Sequence, residues 1–274
     1  MVSYIVKKVL NNNVVIAVKD ECEFILVGKG IGFNTKKGSS VPENTIGNVF
    51  VKQSSDKSKF DMVLRSIDRK IVGISEEIIS LCENELGIKL NSAIHTSLPD
   101  HINFAFTRIR KGIKIENPFL NEIMVLYPRE YKLAQKAFDM INKNFDTKLP
   151  RDEVGFICMH INAAIARKNV SDTVEYTRKI GDIMKFISVI LNKDIDKSSL
   201  AYERTVTHIN FVLDRIMKKK TIKNLLLDSI KKQMYNEYGL ALKVAIKIES
   251  LFSVKVPEDE VGYLALHLKR LKEL

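Results

Sequence analysis

The sequence predicts a multidomain chain in which a small antiparallel β-sheet domain precedes two homologous all-α helical bundles. Three observations carry that expectation. The first 51 residues are rich in β-branched runs broken by turn residues, the tetrapeptide "HINF" stands at both 101–104 and 208–211, and the residues around each copy follow a helical period.

In the front segment, "NVVIAV" and "EFILV" are separated by "KDE", while "NNN", "GKGIG" and "KKGSS" supply turns. About four strands are expected there. The polar stretch "KQSSDKSKFD" then marks a boundary, and "ARKNVSDTVE" a second one, which divides the chain into 1–55, 56–170 and 171–274.

The duplication is read at a constant offset of 208 − 101 = 107. Without gaps, residues 101–160 and 208–267 share 25 identities in 60 positions, and "LPRDEVGFICMH" falls on "VPEDEVGYLALH". Apolar positions 102, 105, 106 and 109, then 131, 133, 134, 137, 138 and 141, follow a 3.6-residue period. The next helix of each copy opens with Pro and acids, which suit a first turn that needs no amide donor and carries the positive end of the helix dipole. "ISEEIISLCENELG" is expected to be a further helix with Ser75 as its cap and Gly87 as its stop.

The chain has 44 Lys and Arg against 33 Asp and Glu, a net +11, which points to an anionic partner such as nucleic acid. Residues 1–55 hold only +3 of this, seven lysines against four acids, so charge alone does not locate the surface. Three scattered cysteines exclude a disulfide framework or a Cys-x-x-Cys metal site. No apolar run approaches the roughly 18 residues of a membrane span, and the start lacks an export signal, so a soluble cytoplasmic protein with no membrane insertion is expected.

Four of the five histidines belong to the repeat: His101 and His160 match His208 and His267. His95 has no counterpart and reads as structural. Arg108 and Arg215 each follow their histidine by seven residues, about 20° from eclipsed on a helix. Asp152 and Asp259 stand eight residues before the second histidine, with Glu153 and Glu260 beside them. These arginines and aspartates are therefore candidate partners of an imidazole or a phosphate. No His-x3-His spacing suggests a metal, no nucleophile elbow or phosphate loop suggests catalysis, and no cofactor is implied. A histidine that reversibly accepts a phosphoryl group suits the pattern, since imidazole is nucleophilic at neutral pH and the added charge can pair with Arg or repel a carboxylate. A plain structural role for the repeated histidines is the alternative.

The segments "DHINFAFTR", "RDEVGFICMH", "THINFVLDR" and "EDEVGYLALH", with "KKVLNNNVV" and "VGKGIGF" at the front, give the chain its resemblance to a family. Over essentially its whole length it resembles bacterial sugar-operon transcription antiterminators of the BglG/SacY type, with a co-antiterminator RNA-binding domain and two phosphotransferase-system regulation domains. The resemblance implies a homodimer that binds a leader RNA hairpin overlapping a terminator, and no enzyme activity. It implies RNA contacts at Lys8, Asn11, Asn13, Gly28, Lys29, Gly30 and Phe33. Lys suits phosphate, Asn base edges, Gly close approach and Phe stacking. Plain turn and core roles for "NNN" and Phe33 are the alternatives. Lys29 departs from the Arg that members often carry, losing a planar bidentate fork. The resemblance also implies phosphorylation of His101, His160, His208 and His267, with a sugar-specific PTS permease repressing through the first regulation domain and the phosphocarrier HPr activating through the second. A DNA-binding activator carrying the same regulation domains, or a histidine phosphotransfer protein, is the competing reading. The β-rich front argues against the first and the lack of an acceptor-pocket motif against the second.

Overall fold

The computed structural model describes residues 4–51 and 66–273. The boundary expected at "KQSSDKSKFD" lies outside the described residues.

Five strands form one antiparallel sheet: β1 (Tyr4–Asn11), β2 (Val14–Lys19), β3 (Cys22–Val27), β4 (Ser40–Val41) and β5 (Asn48–Val51), in the order β4-β1-β2-β3-β5. The strand beyond the expected number is β4, whose two residues pair with Tyr4 and Ile5 and are too few to show a period-2 pattern. The β2–β3 turn is Asp20-Glu21, both at positive φ (49° and 62°), the conformation that suits a two-residue hairpin and that Asp tolerates. Val6, Val15, Ala17, Leu26, Ile31 and Val41 close the core of the sheet.

Ten α-helices follow among the described residues: α1 (Arg69–Leu86), α2 (Ile94–Arg110), α3 (Leu120–Leu126), α4 (Pro128–Asn144), α5 (Glu153–Ala166), α6 (Val170–Leu191), α7 (Leu200–Met217), α8 (Leu227–Gln233), α9 (Tyr235–Phe252) and α10 (Glu258–Glu273). The chain divides into two compact units, 1–117 with 129–170, and 118–128 with 171–274.

In the first unit the sheet lies against α1. Helix α1 corrects one expectation: it begins six residues before Ser75, with the Asp68 carboxylate accepting from the Lys70 amide at 2.8 Å. Ser75 is buried mid-helix and its hydroxyl donates to the Ile71 carbonyl, satisfying itself within the turn. Gly87 ends the helix in the left-handed conformation (φ 68°), as expected.

In the second unit, α3 packs on α7, although its counterpart α8 packs on α9 and α10. Two contacts explain this placement. The Phe119 ring sits where a Cβ on Gly181 would come within 2.7 Å of it, and the Tyr202 hydroxyl donates to buried Glu122. Around them the core runs through Ile180, Ile183, Val206, Ile209, Val244 and Leu264.

Candidate nucleic-acid interface and histidine sites

The β1–β2 turn and the loop after β3 are stitched into one surface. The Gly28 amide donates to the Asn13 carbonyl (2.9 Å), the Gly32 amide to the Asn12 carbonyl (2.9 Å), and the Gly30 amide to Asn13 Oδ1 (2.8 Å). Asn11 Oδ1 accepts from the Asn13 amide (2.9 Å), holding the turn. Asn11, Asn13, Gly28, Lys29, Gly30 and Phe33 thus come together, and Lys8 lies on β1 three residues before Asn11. Phe33 is 63% exposed, which removes the core reading for it. Gly30 needs its glycine for φ +74°, with open space beside it. Gly28 has a different cause: a Cβ there would lie 1.9 Å from the Thr45 carbonyl oxygen, so its close approach is to the protein's own backbone. Both asparagines also reach α1, where Asn11 Nδ2 donates to Glu77 Oε1 (2.6 Å) and Asn13 Nδ2 to Glu77 Oε2 (3.0 Å).

The four repeated histidines form two close pairs, the first tilted and the second stacked. His101 on α2 and His160 on α5 have ring centroids 4.8 Å apart; His208 on α7 and His267 on α10 stack at 4.5 Å. Each pair is duplicated in position but not in surroundings. In the first, His101 Nε2 donates to Glu153 Oε2 at 2.7 Å, and His160 Nδ1 lies 3.3 Å from the Ser97 hydroxyl. In the second, the homologous Glu260 is held by Arg215, whose Nε and Nη2 donate to its two oxygens at 2.6 and 2.8 Å. Its nearer oxygen is left 4.0 Å from His208 Nε2, which has no hydrogen-bond partner among the described residues. Arg108, the counterpart of Arg215, instead donates to the Lys114 carbonyl (3.4 Å) and lies over the Phe104 ring.

Asp152 and Asp259, the expected phosphate or histidine partners, are used structurally. Each accepts from a backbone amide, Asn117 at 2.7 Å and Asn224 at 2.8 Å, tying the loop before α3 or α8 to the start of α5 or α10. The carboxylates that face the imidazoles are their neighbours Glu153 and Glu260, 1% and 2% exposed. Identity of Asn117 with Asn224 and of Glu153 with Glu260 at the 107-residue offset was the available signal for both. Glu77 carried no such signal.

Burial, reinforced by the neighbouring His101, pushes the His160 pKa down to about 3. Burial, then His267 and Arg215, puts His208 at about 3. Burial, then Arg270 and Arg204, puts His267 at about 4. All three are neutral at pH 7 with a lone pair available, the state a nucleophile requires. His95 differs: burial works to lower its pKa, but the Glu76 carboxylate, 2.7 Å from Nδ1, outweighs it and the pKa is raised. The ring packs edge-on to Phe50, so His95 serves the core, as the sequence suggests.

The signs of these shifts give a first expected result. Folded pKa values below the unfolded value of about 6.5 mean that the stability tied to His160, His208 and His267 is present above pH 6.5 and is lost as pH falls. Urea unfolding at pH 7.5 and 5.0 should show a loss of about 1–2 kcal/mol per histidine at the lower pH. His95 contributes with the opposite sign, present below about pH 6.5 and lost as pH rises through its raised folded value.

No helix among the described residues is long and apolar enough to cross a membrane, and no group of three His, Cys, Asp or Glu side chains among them could hold a metal ion.

The PRD domain family model matches residues 76–164 and 181–271, and that of the CAT RNA binding domain matches residues 4–59. The chain is 34% identical over 271 residues to Transcription antiterminator LicT of Bacillus subtilis (strain 168), covering 97% of this chain and 98% of that one. It is 33% identical over 279 residues to Protein GlcT of Staphylococcus saprophyticus, covering 100% and 99%. A crystal structure of GlcT CAT-PRDI is 41% identical, covers 59% of this chain and 98% of that chain, and superposes with a TM-score of 0.50.

Proposed function

The chain belongs to the family of transcription antiterminators that join a CAT RNA-binding domain to two PRD domains, and from that premise we propose how its own residues work. Residues 1–55 bind a leader RNA hairpin as a homodimer, and 56–170 and 171–274 are the two regulation domains. The observation that carries the RNA reading is the stitched surface of Asn11, Asn13 and Gly28–Phe33, with a solvent-exposed aromatic ring at its edge. Lys8 and Lys29 supply phosphate contacts, the asparagine amides read base edges, and Phe33 stacks on an unpaired base. Binding one of two exclusive RNA folds stabilises it by about 2.7 kcal/mol at a hundredfold excess over Kd. That is enough to keep a balanced terminator from forming, so polymerase continues.

Regulation acts through phosphoryl transfer to His101, His160, His208 and His267, from a sugar-specific PTS permease at the first pair and HPr at the second. The transfer breaks the P–N bond of a donor phosphohistidine, forms a P–N bond to the acceptor imidazole, and needs the acceptor neutral, as the depressed pKa values provide. The surroundings support opposite responses. Arg204 and Arg270, one turn from His208 and His267 on their helices, correspond to Ser97 and Ala163 in the first copy. A dianion at the second pair meets cations, whereas one at His101 meets Glu153 at short range. The protein works in the cytoplasm.

The test is single-round transcription, with purified chain, through the leader and terminator next to this gene. Read-through should rise with protein concentration. Phe33→Ala should weaken RNA binding by about 1–3 kcal/mol without lowering the melting temperature, because stacking is lost from an exposed ring. Read-through that ignores the protein, or a Phe33→Ala variant as active as the parent, would contradict the reading.

A further inference from the structure

Helix α1 presents one stripe to the sheet: Gly73, Glu77, Ser80 and Asn84, at i, i+4, i+7 and i+11. Gly73 admits the turn, since a Cβ there would lie 2.6 Å from Asn11 Nδ2. At the far end, Asn48 Nδ2 donates to Ser80 Oγ at 2.6 Å and to Asn84 Oδ1 at 3.2 Å. Between them Glu77 takes both asparagines of the turn.

The use of each amide is what matters. Asn11 Oδ1 and Asn13 Oδ1 are committed to the Asn13 and Gly30 backbone amides, so the donors left to read a ligand are the two Nδ2 groups. One carboxylate holds both. Its two oxygens present the same acceptor pair that a phosphate, or adjacent acceptors on a base edge, would offer. A cleft of about 290 Å³ opens beside them, lined also by Asn12, Lys70 and Asn144, so the polar turn is reachable once the carboxylate withdraws.

We infer that Glu77 is a built-in competitor of RNA: helix α1 of the first regulation domain occupies the amide donors of Asn11 and Asn13, and RNA binds only after that contact opens. This rests on the proposed role of Asn11 and Asn13 as RNA contacts. The regulation domain therefore reaches the RNA surface directly, through one side chain. If the docked form predominates by about ten to one, apparent RNA affinity is reduced about tenfold, the share that one charge-assisted contact can hold.

The test measures binding of the full chain to a labelled stem-loop from the leader next to this gene, by anisotropy at fixed salt. Glu77→Ala should bind about tenfold tighter than the parent, and Glu77→Gln should gain less because its carbonyl still accepts one of the two bonds. Asn11→Ala/Asn13→Ala should bind more weakly, and adding Glu77→Ala to it should give no gain. Should Glu77→Ala fail to fold, Asn48→Ala, which cuts the other end of the docking stripe, carries the same expectation of tighter binding. An affinity unchanged by Glu77→Ala and Asn48→Ala, with Asn11→Ala/Asn13→Ala still weakened, would overturn the competition and leave the RNA reading standing. An affinity that Asn11→Ala/Asn13→Ala leaves unchanged in the Glu77→Ala background, where no competing contact remains, would overturn both.

Discussion

Arg215→Ala is expected to destabilise the second compact unit by about 2–3 kcal/mol at pH 8, the loss that follows when a buried carboxylate gives up the charge-assisted bonds of a half-buried guanidinium. Glu260 is 2% exposed and takes both of its short hydrogen bonds from Arg215, so the variant leaves a carboxylate buried without its counter-ion. The first copy shows where that carboxylate can turn. Glu153 accepts from His101, and Glu260 already lies 4.0 Å from His208. In the variant, His208 should therefore gain an anionic partner and lose a nearby cation. Its pKa should rise from about 3, and the destabilisation should shrink as pH falls and the imidazole protonates. Urea unfolding at pH 8 and 5.5, with an NMR titration of His208, checks both parts. A loss below about 1 kcal/mol at both values would mean the Arg215–Glu260 pair has no such role.

The duplication made much of this architecture legible. "HINF", Tyr131 with Tyr238, and "DEVG" placed the histidine pairs on homologous helices, and α2, α4, α5, α7, α9 and α10 carry them. The β-branched runs located β2 and β3. Less local features escaped. The cap of α1 lies beyond the window that made Ser75 attractive, since the apolar "IVGI" before Ser75 extends the same helix. Spacing offered both Asp152 and Glu153, eight and seven residues before His160, but only packing decides that Asp152 turns to the Asn117 amide while Glu153 reaches His101. The same holds for Arg108 and Arg215, identical in position and different in partner. Glu77 pairs with residues 66 and 64 positions away, and no periodicity encodes such a contact.

The second large effect concerns regulation. His101→Ala removes an imidazole bonded to Glu153 and the proposed site of repression, so antitermination should persist without the sugar. His208→Ala removes the acceptor among Arg204, Arg215 and Arg270, so activity in the presence of sugar should fall, and His208→Asp should restore part of it by carrying negative charge to the same guanidinium groups. Were these side chains only structural, each replacement would lower stability and activity together. The most direct measurement is therefore a reporter placed behind the cognate terminator, read with and without inducer at matched protein levels, for alanine at each of His101, His160, His208 and His267. Inducer-independent read-through is expected for the first two and loss of induced read-through for the last two, whereas losses of the same sign at all four would contradict a phosphorylation switch.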